Sequence, residues 1–220
     1  MIKACIFDLD GTLLDTIPTI SYYCNLTLEE FGFAPLDAEE YKYLAGNGAK
    51  LLLERMIDRV GGDKEKYFDK MFKFYNKAYD RDVSYGTKPF DGIPEMFGEL
   101  KTMGIATCVL SNKPDFAARE VIKRFLGSLI DVTHGGRDGV ALKPSTEGID
   151  EILAEIGVSA DECLYIGDTS VDMQTGKNAG MYTVGVLWGF RKRDELEENG
   201  ADVIIVHPSE IVQIAKMKNI

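Results

Sequence analysis

The stretch that decides the fold runs Ala4-Cys5-Ile6-Phe7-Asp8-Leu9-Asp10-Gly11-Thr12. Its first four residues are apolar without alternation, which is typical of a strand buried on both faces of a parallel sheet. The strand leads into two aspartates one residue apart and then a glycine turn. Because like charges at this spacing destabilise each other, Asp8 and Asp10 need a cation, a proton or both. The stretch therefore predicts a buried strand that presents two carboxylates for chemistry.

Five more short apolar runs predict further strands, at residues 105–110, 130–133, 163–166, 183–186 and 203–206. Amphipathic stretches between them predict helices at 94–103, 116–125, 145–156, 172–179 and 195–199, with a last helix from Ser209. Strands and helices that alternate in this way are typical of a parallel sheet. We therefore predict an α/β fold, a Rossmann-like parallel sheet flanked by helices, with an inserted helical cap domain.

The segment 16–87 interrupts the alternation, because it contains helix patterns and no convincing strand. Apolar residues recur there at helical spacing in three places, 20–31, 52–60 and 67–79. Asp37 and Glu40 predict a capping box at the start of one more helix. We expect residues 1–15 and 88–220 to form a catalytic core and residues 16–87 to form a helical cap domain.

The charge of the chain limits its partners. The 220 residues carry a net charge of −11, and the isoelectric point is near 4.7. A protein that binds nucleic acid or an anionic membrane needs a basic face, so both partners are disfavoured. No apolar run approaches the roughly 18 residues of a membrane span, and the short apolar start is unlike a signal peptide. The four cysteines are widely spaced and form no zinc pattern, so we expect buried thiols in a cytoplasmic protein. We also expect a monomer or a homodimer.

Polar side chains follow the other predicted strands and complete the first pair of aspartates. Ser111 and Asn112 follow one strand, Asp168 and Asp172 follow another, and Lys143 lies in a loop. A cluster of carboxylates suits Mg²⁺, and a lysine with a hydroxyl suits the oxygens of a phosphate group. One aspartate can attack phosphorus, and a second carboxylate can protonate the leaving oxygen. These residue types therefore predict phosphoryl transfer.

Simpler interpretations of the same residues stay open at this point. A calcium loop that begins at Asp8 would need glycine at position 13 and glutamate at position 19, where the chain has Leu13 and Thr19. Taken alone, Ser111 and Asn112 are typical of a helix N-cap. Gly46-Asn47-Gly48 is also consistent with an ordinary turn between two helices.

Four motifs, in their order along the chain, resemble those of the haloacid dehalogenase superfamily. They are Asp8-Leu9-Asp10-Gly11-Thr12, Ser111-Asn112, Lys143-Pro144 and Gly167-Asp168 with Asp172. The resemblance implies that Asp8 is the nucleophile and Asp10 the general acid/base. It implies a phosphate site formed by Thr12, Ser111, Asn112 and Lys143. It also implies that Asp8, the backbone carbonyl of Asp10, Asp168 and, directly or through water, Asp172 hold Mg²⁺.

The predicted cap contains a segment that resembles the specificity loop of phosphoglycolate phosphatases. This segment is Gly46-Asn47-Gly48, followed by a helix that includes Arg55. The resemblance implies a small anionic phosphomonoester as substrate, 2-phosphoglycolate first. A pyrophosphatase, a sugar-phosphate phosphatase and a phosphomutase of the β-phosphoglucomutase type are the alternative enzymes, and a non-catalytic binding module on the same fold is a further one.

Overall fold

The structure is a computed structural model that describes residues 1–218. It divides into two compact units. One unit combines residues 1–15 with the chain from residue 88 onwards, and the other consists of residues 16–87.

The secondary structure consists of short strands and helices that alternate outside 16–87. The strands are β1 (Ala4–Phe7), β2 (Leu14–Asp15), β3 (Lys88–Pro89), β4 (Ala106–Pro114), β5 (Val132–Gly136), β6 (Cys163–Gly167), β7 (Tyr182–Val186) and β8 (Val203–Ile205). The helices are α1 (Ile17–Glu30), α2 (Ala38–Leu44), α3 (Ala49–Arg59), α4 (Lys64–Tyr79), α5 (Ile93–Thr102), α6 (Asp115–Phe125), α7 (Glu147–Ile156), α8 (Ser170–Asn178), α9 (Arg193–Glu198) and α10 (Ser209–Met217).

A parallel sheet of six strands, in the order β5–β4–β1–β6–β7–β8, forms the centre of the larger unit. Phe7 at the end of β1 lies opposite Val109 on β4 and Ile166 on β6. The carboxyl ends of these three strands therefore meet at one edge of the sheet, where parallel α/β sheets bind their ligands. The predicted α/β fold is confirmed.

Helices cover both faces of this sheet, because successive strand residues point to opposite sides. On one face, Ala4 and Ile6 of β1 belong to a buried cluster with Ile149 and Ile152 of α7. On the other face, the ring of Phe7 packs edge-on against Phe97 of α5, with 5.1 Å between the ring centroids. This explains why the strand pattern is apolar without alternation.

Two details of the larger unit differ from the sequence-based expectation. The strand predicted at 105–110 continues as β4 to Pro114, with a register shift against β5 between Leu110 and Pro114. In addition, β2 and β3 pair antiparallel through two residues each. Segments this short show no apolar pattern, so the sequence did not predict this pairing. The extension of β4 places polar residues at the carboxyl edge of the sheet.

The smaller unit, residues 16–87, contains the four helices α1 to α4. Leu53, Met56 and Ile57 of α3 are fully buried, as the helical spacing of the apolar residues indicates. Asp37 caps α2 by accepting a hydrogen bond from the N–H of Glu39, at 3.2 Å.

The predicted capping box is wrong in its second half. The carboxylate of Glu40 forms an ion pair with Arg59 at 2.5 Å, so it is drawn away from the helix start by a partner on α3. Within the described residues, none of the helices combines the length and the apolar character that crossing a membrane requires.

Candidate active site

Three aspartates converge at the carboxyl edge of the sheet. Asp8 directly follows β1, Asp168 directly follows β6, and Asp172 lies in the first turn of α8. Each carboxylate offers one oxygen to a cluster in which all these oxygens lie within 4.8 Å of one another, and all three residues are buried. The parallel pairing of β1 with β6 therefore brings together carboxylates that are far apart in the sequence.

Lys143 supplies the positive charge of this cluster. It reaches in from the loop between β5 and α7, and only 3% of its side chain is exposed. Its Nζ donates to Oδ1 of Asp8 at 2.6 Å and to Oδ1 of Asp172 at 2.7 Å. One buried ammonium thus contacts two of the three carboxylates.

One ammonium does not balance three buried carboxylates, and the pKa values reflect this. The pKa of Asp8 is raised to about 7, mainly because the carboxyl group is buried. The negative charges of Asp172 and Asp10 raise this pKa as well, whereas the positive charge of Lys143 lowers it. Burial, together with the charges of Asp172 and Asp8, also raises the pKa of Asp168 well above its ordinary value. The cluster therefore favours either protons or an additional cation.

Lys143 itself stays charged. Burial acts to lower the pKa of its ammonium, but the charges of Asp172 and Asp8 outweigh burial and hold that pKa well above its ordinary value. The lysine can therefore offer a permanent positive charge to a bound anion.

The carboxylate of Asp168 is fixed in position by two hydrogen bonds. Oδ1 accepts from the hydroxyl of Thr12 at 2.8 Å, and Oδ2 accepts from the backbone N–H of Phe190 at 2.7 Å. A Cβ atom on Gly11 would lie 2.3 Å from Oδ2 of Asp168, and one on Gly189 would lie 2.4 Å from its Cβ. Both glycines are thus needed to let the backbone enclose this side chain.

The loop after β7 encloses the Asp168 side chain through Gly189 and Phe190. In this loop Trp188 donates from its indole Nε1 to the backbone carbonyl of Thr12 at 2.9 Å. Because the hydroxyl of Thr12 bonds to Asp168, a phosphate contact from Thr12 would have to come from its backbone N–H. The phosphate role of Thr12 stays a prediction.

Asp172 is held by its own helix start. Its Oδ2 accepts from the backbone N–H of Thr169 at 3.0 Å and from the Thr169 hydroxyl at 2.8 Å. A Cβ on Gly167 would lie 2.2 Å from the Cβ of Asp172, so only glycine fits there. With Lys143 on Oδ1, both oxygens of Asp172 already accept hydrogen bonds from protein groups.

The two polar residues on the extended part of β4 have different surroundings. The Ser111 hydroxyl is buried and accepts from the backbone N–H of Lys113 at 3.2 Å. The amide of Asn112 bonds to the backbone of Lys143 on both sides, with Oδ1 2.8 Å from N and Nδ2 3.3 Å from O. Asn112 therefore anchors the loop that carries Lys143.

Asp10 has a partner that the sequence analysis did not assign. The Nζ atom of Lys113 lies 2.9 Å from Oδ1 and 3.3 Å from Oδ2 of Asp10. A lysine next to Ser111 and Asn112 was the available clue. Lys113 can contact Asp10 only because β4 extends through Lys113. A run of polar residues does not predict such an extension.

The residues predicted for substrate specificity lie in the smaller unit. Gly46 and Gly48 adopt positive φ angles, at 113° and 84°, which explains the need for glycine on either side of Asn47. Gly48 is the N-cap residue of α3. Arg55 donates from its guanidinium to the carbonyl of Leu44 at 3.0 Å, so this side chain supports the turn from within the unit.

The donor set of the larger unit fits a hard divalent cation. Three buried carboxylates offer the oxygen ligands that Mg²⁺ prefers, and the raised pKa values of Asp8 and Asp168 show an unmet need for positive charge. Asp8 and Asp168 are the better ligands. Among the described residues, Asp8 has only one oxygen bonded, and the donors to Asp168 are uncharged. Asp172, in contrast, accepts from the ammonium of Lys143 and from Thr169.

Comparisons with known proteins agree with the fold and the motifs. Residues 5–186 match the family model described as haloacid dehalogenase-like hydrolase. A phosphoglycolate phosphatase of Rhodobacter capsulatus is 33% identical over 194 residues, which cover 87% of each chain. An N-acetylmuramic acid 6-phosphate phosphatase of Pseudomonas aeruginosa is 28% identical, and the match covers 97% of this chain and 94% of the relative.

A solved structure of a protein from Lactobacillus delbrueckii subsp. bulgaricus superimposes with a TM-score of 0.93 at 27% identity. The superposition covers 97% of this chain and 98% of that one. Fold, motif order and sequence similarity therefore agree over nearly the whole chain. The chain belongs to the haloacid dehalogenase-like hydrolase family, as an enzyme similar to phosphoglycolate phosphatases.

Proposed function

We propose that this protein is a Mg²⁺-dependent phosphatase that works through an aspartyl-phosphate on Asp8. The observation that supports this most strongly is the environment of the Asp8 carboxylate. Lys143 holds Oδ1 at 2.6 Å, whereas Oδ2 accepts no hydrogen bond from the described residues. One oxygen is thus fixed and the other is available to attack phosphorus.

Asp8, Asp168 and the backbone carbonyl of Asp10 would hold Mg²⁺, with Asp172 next to them. When bound, the ion would offset negative charge on the phosphate oxygens. Thr12 and the N–H of Phe190 keep the Asp168 carboxylate in place for this role.

The phosphate group would be bound by groups that the sheet edge already presents. Lys143 donates to a phosphate oxygen from the same ammonium that holds Asp8, and it stays charged because of the surrounding carboxylates. Ser111 uses its oxygen to accept from Lys113, so its own hydroxyl proton is available to donate to phosphate. Asn112 positions the lysine through its backbone.

Asp10 would serve as general acid and then as general base. As Asp8 attacks phosphorus, the bond from phosphorus to the leaving oxygen breaks, and Asp10 gives that oxygen a proton. In the second half, Asp10 takes a proton from the water that attacks the aspartyl-phosphate. Asp8 and Asp10 both return to their starting states, so the cycle is balanced.

We propose 2-phosphoglycolate as the substrate, among small anionic phosphomonoesters. The support is the similarity to a phosphoglycolate phosphatase of Rhodobacter capsulatus at 33% identity, together with the turn at Gly46, Asn47 and Gly48. Glycine lets a ligand approach the backbone closely, and the N–H groups at the start of α3, directly after Gly48, are of the kind that binds a small carboxylate. A sugar phosphate is the second candidate, because a phosphatase named for such a substrate is 28% identical. We further propose a cytoplasmic enzyme without nucleic acid or membrane partners, consistent with the net charge of −11.

The experiment is phosphate release in the presence of Mg²⁺ from 2-phosphoglycolate, pyrophosphate and a panel of sugar phosphates, compared by kcat/KM. We expect 2-phosphoglycolate to lead by about a hundredfold, which corresponds to about 2.7 kcal/mol of differential transition-state binding. A lead for a sugar phosphate would identify the second candidate. Conversion of a sugar phosphate to its isomer, without free phosphate, would show a phosphomutase.

A further inference from the structure

Lys113 contacts Asp10, the proposed general acid, but has no role of its own in the proposed mechanism. The side chain of Lys113 is only 4% exposed and that of Asp10 is 20% exposed. The ammonium lies within hydrogen-bond distance of both carboxylate oxygens, at 2.9 Å and 3.3 Å. A lysine is seldom buried to this extent without a charged partner, so the contact with Asp10 explains why this side chain tolerates its site.

The backbone of Lys113 is also fixed. Its N–H donates to the hydroxyl of Ser111, and it lies on β4 within the segment where the register against β5 shifts. Such irregularities redirect side chains at the edge of a sheet, often next to active sites. The side chain therefore starts from a defined position and ends on the carboxylate that the proposed mechanism uses to move a proton.

We propose that Lys113 is a positioning residue, which holds the Asp10 carboxyl group where it exchanges a proton with the leaving oxygen. This inference depends on the proposed function. Lys113 keeps its own protons throughout: the proton moves from Asp10 to the leaving oxygen, and later from water to Asp10. In either state of Asp10, the ammonium donates a hydrogen bond to one of its oxygens.

The test uses two substrates that differ in their need for a proton. The alkoxide released from 2-phosphoglycolate must be protonated, whereas p-nitrophenolate is stable without a proton. We expect Lys113→Met to lower kcat/KM for 2-phosphoglycolate by about 10- to 100-fold, within what general acid catalysis contributes. We expect less than about a threefold loss for p-nitrophenyl phosphate, because the same enzyme attacks it without the acid.

The double variant, Asp10→Asn with Lys113→Met, shows whether Lys113 affects catalysis only through Asp10. We expect Asp10→Asn to lower kcat/KM for 2-phosphoglycolate strongly, and Lys113→Met to cause no further loss in the Asp10→Asn background. Lys113→Arg keeps the charge and the donors, so it should recover part of the activity. Lys216→Met is the control, because Lys216 lies on α10, forms an exposed ion pair with Glu99 at 3.5 Å, and is distant in sequence from every residue of the candidate site. It should leave kcat/KM for both substrates unchanged.

Two results would overturn the inference and leave the proposed function intact: an equal loss on both substrates, or a full additional loss in the Asp10→Asn background. Full activity of Asp10→Asn on 2-phosphoglycolate would instead contradict the proposed acid, and the role of Lys113 with it. If Lys113→Met does not fold, as judged by its thermal unfolding, Lys113→Gln replaces it and the same two comparisons decide.

Discussion

The ammonium of Lys143 lies 2.6 Å from Oδ1 of Asp8, although the two residues are 135 positions apart in the sequence. Asp8 reaches this contact from the end of the central strand, and Lys143 from a loop that is anchored by Asn112. The contact places a permanent positive charge against the carboxylate that we propose as the nucleophile.

Neutralising Asp8 is expected to stabilise the metal-free protein in a pH-dependent way. The pKa of Asp8 is about 7 in the folded state, against an ordinary value of 3.8. Between these two pH values the protein therefore takes up a proton at Asp8 when it folds. Stability due to the neutral carboxyl group is full below pH 4 and is lost as the pH rises to 7. At pH 8, Asp8→Asn should unfold with a free energy higher by up to about 4 kcal/mol, and at pH 4 the difference should fall to about 0.6 kcal/mol.

Urea unfolding at pH 4, 6 and 8 without metal measures this difference. Asp131→Asn is the control with the opposite sign. Although burial acts to raise the pKa of Asp131, hydrogen bonds from Thr107 and Lys101 lower it, so that variant should lose stability at pH 8. A gain for Asp8→Asn that is the same at all three pH values would contradict the account.

Magnesium binding is expected to compete with protons at the acid cluster. Since the pKa of Asp168 is raised well above its ordinary value, a bound cation must displace protons, and its affinity rises with pH. Mg²⁺ should therefore raise the melting temperature more at pH 8 than at pH 6, and Asp168→Asn should abolish the increase. Thermal unfolding with and without Mg²⁺ measures both. An unchanged Mg²⁺ effect in Asp168→Asn would place the ion elsewhere.

The enclosure of Asp168 predicts a strong effect from a single methyl group. A Cβ on Gly189 would lie 2.4 Å from both the Cβ of Asp168 and the carbonyl oxygen of Gly11, so Gly189→Ala must displace one of them. We expect at least about a tenfold loss of kcat and weaker Mg²⁺ binding by titration calorimetry. Gly98→Ala is the control: a Cβ there meets nothing within 4 Å, in the interior of α5, so the variant should be as active and slightly more stable.

Arg55 supports the turn that we propose for substrate specificity. Its hydrogen bond to the carbonyl of Leu44 is lost in Arg55→Ala and kept in part by Arg55→Lys. We expect Arg55→Ala to raise the KM for 2-phosphoglycolate about tenfold, with little change in kcat, and Arg55→Lys to lie between it and the wild type. Steady-state kinetics on both variants test this. A fall in kcat with unchanged KM would show that the turn has no part in substrate binding.

The sequence was sufficient for the central part of the fold. The bounds of β1 follow from its continuous apolar run, and the polar residues after β1 and β6 meet because parallel neighbouring strands end at the same edge. Asp8, Asp168 and Asp172 do converge as that reasoning predicts.

Other features of the site could not be predicted, for physical reasons. The pairing of Lys113 with Asp10 spans 103 residues and depends on the extension of β4 through Asn112 and Lys113, residues that are poor strand formers. The support of Asp168 by Phe190 comes from a backbone N–H, and backbone groups carry no sequence signature. The hydrogen bond between Thr12 and Asp168 depends likewise on the loop that Trp188 anchors.

The most direct test of the central claim is to locate the phosphoryl group on the enzyme. The enzyme is mixed with 2-phosphoglycolate and Mg²⁺, quenched in acid within milliseconds, digested, and analysed by mass spectrometry. We predict one phosphoryl group on the peptide that contains Asp8, and its absence in Asp8→Asn together with a loss of turnover of at least about a thousandfold. Phosphate release by Asp8→Asn at the wild-type rate, or a phosphoryl group on a different residue, would contradict the account.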